Sequence, residues 1–210
     1  MKISNLTEES TIYTSNVFFV TGTWNAMEDA NTLVDVGMDQ SIVHKINEYS
    51  TGVGKTRVEQ VVLTHSHSDH IGILHLIREA FNPRIYAFSP YIGGVDHLLK
   101  DGDQLKMGDR IFEVYHTPGH SDDSICLFCQ SEGALFTGDT SVVIQSTDGS
   151  YNQDFVRVME QLCKKDIRAI YFGHGDPIIN DCNALLSNSM KNIRKTQATG
   201  IIKNMKEDFS

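Results

Sequence analysis

With 210 residues, the chain is long enough for one sizeable domain with a buried core and short for two. Its 40% hydrophobic and 21% charged content is that of a soluble globular protein, and a net charge of −9 without a basic cluster argues against a nucleic-acid partner. No apolar run reaches the roughly 18 residues of a membrane span, and the polar, acidic start Met1–Glu9 lacks the parts of a secretory signal, so a cytoplasmic protein is expected.

In chain order, Thr11–Thr21 alternates as a first strand and Asn31–Val36 reads as a second. The loop Gly22–Ala30 between them carries the only tryptophan, Trp24, with Met27 close by. An aromatic on such a loop serves either as a substrate lid or as core. The second strand ends in Asp35-Val36-Gly37, a carboxylate followed by a turn glycine. Gln40–Tyr49 then has the apolar spacing of a helix. Gly52-Val53-Gly54-Lys55-Thr56 ends like a phosphate-binding loop but lacks the four-residue spacer after a first glycine, which leaves it a plain loop.

Val58–Leu63 is an apolar, β-branched strand, and helical spacing resumes at Ile71, Leu74, Ile77 and Phe81. Arg84–Phe88 follows as a strand, and a short helix is expected around Val95–Leu99. Strands are expected at Arg110–Tyr115, Ser124–Cys129, Ala134–Thr137 and Ile167–Tyr171, with helices at Asn152–Lys164 and Asn183–Met205, the latter interrupted at Gly200. Cys126 and Cys129 have C-x-x-C spacing, but positions three apart on a strand face opposite ways. With no second such pair, Cys126, Cys129, Cys163 and Cys182 read as reduced thiols.

The chemistry concentrates between the strand at 58–63 and the helix after it, in Thr64-His65-Ser66-His67-Ser68-Asp69-His70-Ile71-Gly72. A lone His-x-His pair is usually an exposed turn. Four metal-competent groups crowded onto one turn at the C-terminal edge of a strand are better explained by an ion that joins them. Three later strand ends repeat the pattern: His116-Thr117-Pro118-Gly119-His120, Gly138-Asp139 and Gly173-His174-Gly175. Each alone reads as a cap or surface turn. Together they give five histidines and two aspartates on four turns, a donor set suited to zinc, iron or manganese.

The motifs T-H-S-H-S-D-H, H-T-P-G-H, Gly138-Asp139 and G-H-G, in this order, resemble the metallo-β-lactamase superfamily, nearer its glyoxalase II-like and lactonase-like hydrolases. The resemblance runs from about Tyr13 to Pro177. It implies an α/β fold, an αβ/βα four-layer sandwich of two mixed sheets with outer helices, here a single domain over 1–210. It implies two divalent ions, zinc first with iron or manganese compatible. His65, His67 and His120 would hold one ion, Asp69, His70 and His174 the other, and Asp139 would bridge them. Asp69 would also pass a proton to the leaving group, and Asp35 would support a ligand imidazole.

The implied activity is hydrolysis of a small ester, thioester or lactone by hydroxide shared between ions about 3.5–4 Å apart. The short stretch after His174 points away from a glutathione-gripping helical domain. The tyrosine that similar lactonases place just after the bridging aspartate is replaced by Thr140-Ser141-Val142-Val143. Alternatives are a mononuclear-iron dioxygenase of the persulfide dioxygenase type, using His65, His120 and Asp139, and a small RNase, which the net charge disfavours. The expected partner is a small-molecule substrate, with neither nucleic acid nor membrane, and a homodimer remains open.

Overall fold

The computed structural model describes residues 1–147 and 150–207, with side chains described up to Gln197. Two mixed sheets form its centre. The first holds β1 (Lys2–Asn5), β2 (Phe18–Thr21), β3 (Thr32–Val34), β4 (Gln60–Val62), β5 (Arg84–Ala87) and β6 (His97–Leu98), in that spatial order. The second holds β7 (Gln104–Met107), β8 (Arg110–His116), β9 (Ile125–Cys129), β10 (Ala134–Gly138) and β11 (Ala169–Phe172), ordered 11-10-9-8-7. In the first sheet β3, β4, β5 and β6 run parallel, and in the second β10 and β11 do.

Three apolar layers hold these sheets. Phe18, Val20, Val34 and Val62 from the first sheet meet Phe112, Val114, Leu127 and Phe136 from the second. On the outer face of the first sheet, Ile42 and Ile46 of α1 (Ser41–Glu48) pack near Leu74 and Ile77 of α3 (Leu74–Phe81). On the outer face of the second sheet lie α4 (Gln153–Leu162) and α5 (Cys182–Glu207). The result is helix, sheet, sheet, helix, the expected αβ/βα sandwich. Burying each large apolar side chain contributes about 1.5–3 kcal/mol, so the inter-sheet layer alone is a large share of the stabilisation. Helix α4 starts where Asn152 Oδ1 accepts from the Asp154 amide, and Phe155, Met159 and Leu162 then recur on its buried side.

The strand-like C-x-x-C pair divides as its spacing requires. Cys126 lies in the helix-facing layer and Cys129 between the sheets, and all four cysteines are free thiols. Among the described residues no helix is long and apolar enough to cross a membrane.

Several expected boundaries are corrected. The Thr11–Thr21 strand exists only as Phe18–Thr21. Residues 11–17 instead form a strap whose amides bond to two distant loops: Ser15 N donates to Asp69 O and Asn16 N to Gly173 O. Strands β1 and β7 are additions, both too polar in pattern to stand out from sequence. Around Val95–Leu99 the chain is a strand, because Asp96 N and Leu99 N donate to the Ile85 and Ala87 carbonyls of β5. The helix after the histidine motif is split into α2 (Ser68–Ile71) and α3. Helix α5 runs through Gly200 without the expected interruption.

Candidate metal centre

Every chemistry-bearing turn lies at the same rim of the sandwich. Parallel β3 and β4 end there in Asp35 and Thr64-His65, and β8, β10 and β11 run out there into His120, Asp139 and His174. The strand ends thus bring together side chains more than a hundred positions apart.

Two outer triads of donor atoms result, His65–His67–His120 and Asp69–His70–His174, joined by a third set, His65–His70–Asp139, with the donors of each within 4.8 Å of one another. Asp139 sits between them. Its Oδ2 is 3.9 Å from His65 Nε2, 3.4 Å from His120 Nε2 and 3.7 Å from His174 Nε2, and its Oδ1 is 3.2 Å from His70 Nε2. Within the triads, His120 Nε2 and His67 Nδ1 are 2.9 Å apart, and His174 Nε2 is 3.0 Å from Asp69 Oδ2. Gly173 allows this crowding, since a Cβ there would overlap Asp139 Oδ1 and lie 2.7 Å from His70 Cε1.

The profile of the Metallo-beta-lactamase superfamily matches residues 11–174. The chain belongs to that superfamily. Hydroxyacylglutathione hydrolase from Francisella tularensis subsp. novicida is 39% identical over 88 residues, 41% of this chain and 35% of the relative. The same-named protein of Hydrogenovibrio crunogenus is 32% identical over 150 residues, 67% of this chain and 49% of the relative. The chain thus spans between a third and a half of the curated relatives it matches. Among solved structures, ETHE1 from Myxococcus xanthus aligns with a TM-score of 0.69 at 19% identity, covering 93% of this chain and 88% of that one, a likeness of fold.

The residues present fit the metal ions implied by superfamily membership. His65 Nε2, His70 Nε2, His174 Nε2 and Asp139 Oδ1 are buried and none has a hydrogen-bond partner. The 3.2 Å approach of His70 to Asp139 is close without aligning as a hydrogen bond. Buried polar atoms left this way are costly unless a cation meets them.

Behind the donors lies a supporting network. Asp35 Oδ2 is 2.8 Å from His70 Nδ1, which directs the opposite nitrogen, Nε2, into the site. The same carboxylate accepts from Thr64 N at 2.8 Å and Thr64 Oγ1 at 2.7 Å, and Thr64 Oγ1 lies 3.2 Å from His65 Nδ1. Asp35 adopts φ +59, a backbone conformation that its three acceptor contacts over-determine. The His116 ring stacks on Phe88 and its Nε2 is 2.7 Å from the Asp122 carbonyl, bracing the turn that presents His120.

Charge follows the same geometry. Burial, then the neighbouring His70, lowers the His65 pKa to about 4. Burial also opposes the His70 imidazolium, but Asp35 and Asp139 outweigh it and raise that pKa to about 10. For Asp139, burial is outweighed by His70, His174 and His65, which bring the carboxyl down to about 2. In the metal-free protein a proton on His70 supplies part of the positive charge that the carboxylates demand. An ion at the same place would displace it.

Trp24 and Met27 are not at this rim. Strand β2 begins beside the end of β3 and runs away from the site, so the 22–30 loop closes the opposite end of the sheet. Ala30 is bridged there to Gly108, at the far end of the seven-residue β8, about 20 Å from His116 at ~3.4 Å per residue. Both side chains point to solvent, Trp24 at 88% exposure, so neither lid nor core describes them. At the metal rim the mouth is instead a cleft of about 320 Å³ between His120, Asp139 and His174 on one side and Thr140, Ser141, Val143 and Phe172 on the other. An adjoining hollow adds Tyr151 and Phe155.

Sequence reasoning missed Tyr13, Asn16 and Thr64. Asn16 Nδ2 donates to the Phe172 and Gly175 carbonyls at 2.9 and 2.8 Å, bracketing His174, and Tyr13 stacks on the His174 ring. The available signal was the polar triplet Thr14-Ser15-Asn16, which spoils the alternation of a strand just before the apolar run Val17–Val20.

Proposed function

We propose that this chain is a hydrolase of a small ester, thioester or lactone, working with two divalent ions, zinc ahead of iron or manganese. The observation that carries this reading is the pair of triads sharing Asp139, with four buried donor atoms that no hydrogen bond satisfies. Imidazole and carboxylate donors without sulfur suit these metals. The names of the curated relatives favour an acyl-transfer reaction to water.

His65, His67 and His120 would hold one ion, Asp69, His70 and His174 the second, and Asp139 both. When bound, such ions supply Lewis acidity for a carbonyl and generate a nucleophile from water at neutral pH. Asp35 keeps His70 in the tautomer whose Nε2 faces the site. Burial works against the Asp69 charge, but a backbone hydrogen bond and then His70 and His174 outweigh it and lower the carboxyl pKa, and the carboxylate can accept a proton and return it to the departing alkoxide or thiolate. The mouth places hydroxyls of Thr140 and Ser141 beside Val143 and Phe172, a neutral, partly apolar wall suited to a compact uncharged acyl group. At about 320 Å³ it matches the lower end of small-molecule sites.

The competing reading, a single iron at His65, His120 and Asp139, leaves the Asp69–His70–His174 donors without a role. Elemental analysis of protein expressed with zinc, together with ester, thioester and lactone assays, tests the choice. About two ions per chain and hydrolytic turnover are expected. One iron per chain with oxygen consumption on a persulfide, and no hydrolysis, overturns the proposal.

A further inference from the structure

The two triads are supported unequally. His70 is fixed from behind by Asp35, while for Asp69 and His174, the partly exposed members of the same triad, the strap bonds the carbonyl of Asp69 and those of the residues flanking His174. Ser15 N donates to Asp69 O at 3.1 Å, Asn16 N to Gly173 O at 2.6 Å, and Met38 N to Thr14 Oγ1 at 2.8 Å. The residue before these anchors is Tyr13. Its side chain is 75% exposed, yet its ring lies nearly parallel to the His174 imidazole, 19° off, with centroids 5.4 Å apart. The charge of the nearby Asp69 carboxylate raises its phenol pKa. A large aromatic left this open at the site rim is held by its partners, since the core does not bury it.

Resting on the two-ion reading above, we infer that Tyr13 is a positioning residue for the Asp69–His70–His174 ion. Its ring fixes the plane of the His174 imidazole, so one exposed side chain aims a donor of that triad. Among the described residues no tyrosine, phenylalanine or tryptophan ring stacks on His65, His67 or His120, and behind that triad lie Thr64 and the His116-braced turn. The consequence is a selective one: loss of Tyr13 should weaken one ion and spare the other. Offset ring stacking of this geometry corresponds to roughly 2- to 10-fold in affinity, and loss of an outer contact to a ligand to about 10- to 100-fold.

The test is stepwise loading of metal-stripped parent, Tyr13→Ala and Tyr13→Phe with zinc against a competing chelator. Cobalt(II) absorption spectra identify which donor set fills. For Tyr13→Ala we expect roughly 10-fold weaker binding of one ion, the other unchanged, and kcat recovered by excess metal with KM near the parent value. Tyr13→Phe keeps the ring and should retain parent-like affinity and kcat; a loss of affinity as large as that of Tyr13→Ala would overturn the role of the ring. If both ions bind Tyr13→Ala as they bind the parent, or if both weaken equally, Tyr13 is a bystander or a fold element and the inference fails. A parent that takes up fewer than two ions refutes the two-ion reading, and the inference with it. Two ions in the parent with equal affinities in the variant refute the inference alone.

Discussion

The two rims of the sandwich treat charge in opposite ways. At the rim carrying Gly22–Ala30 and the β7–β8 turn, carboxylates meet cations of the chain itself. Arg110 Nε is 2.6 Å from Glu132 and its NH1 is 3.1 Å from Asp109, while Lys55 lies 3.4 Å from Glu59 and donates to the Ala26 and Asp29 carbonyls. At the other rim the ion-pair partners of Asp35, Asp69 and Asp139 among the described residues are imidazoles, and the Nε2 atoms of His65, His70 and His174 have no hydrogen-bond partner. Both rims are built from strand ends, so backbone architecture does not explain the contrast. A rim that neutralises itself needs no ligand, whereas one that gathers carboxylates around imidazoles, with no Lys or Arg paired to them among the described residues, fits a cation from outside.

Removing the shared carboxylate should break this contrast most completely. Asp139→Ala is expected to lower the metal content and take hydrolytic turnover below detection, read by elemental analysis and the best substrate of the screen. Parent-like metal content and rate would remove Asp139 from the centre. Asp35→Ala acts one step back, through His70, and should cost about 10- to 100-fold in metal affinity or activity. An unchanged affinity would make Asp35 a turn residue only.

Next in size is the effect of pH on the metal-free protein. His70 has a folded pKa raised to about 10, so the stability its proton contributes is complete below pH 6.5 and lost as pH rises through 10. An ion held at Nε2 would replace that proton. Thermal melting of chelator-stripped protein should therefore fall between pH 6.5 and 10 relative to metal-loaded protein, and parallel trends would contradict the assignment. The smallest effect belongs to the self-neutralised rim. Trp24→Ala, on a side chain 88% exposed, should stay within about 0.5 kcal/mol in stability with kcat/KM unchanged. A clear loss of kcat/KM would restore a functional role to the far loop.

Much of the architecture could be read before any coordinates, because buried strands such as Val58–Leu63 and amphipathic helices such as α4 announce themselves through local periodicity. The local motif at 64–72 declared metal chemistry for a similar reason: four donors on one turn leave few alternatives. Strands β1, β6 and β7 escaped because they are short, polar and defined by their partners. The 11–17 segment leads into a true strand, but its polar triplet Thr14-Ser15-Asn16 breaks the alternation, and its amides meet the Asp69 and Gly173 carbonyls instead of a neighbouring strand.

By itself, then, the sequence determined the donor types, the strand ends that carry them and the superfamily to which the chain belongs, since those depend on side-chain chemistry and near-neighbour spacing. Only the tertiary structure decided which donor atoms lie close to one another, that the imidazole Asp35 reaches is that of His70, that Tyr13 stacks on His174 and that Trp24 lies at the opposite end of the sheet. These depend on strand direction. Whether β2 runs toward the site or away from it follows from its pairing with β3, and a long-range backbone pairing leaves no mark in the residues between.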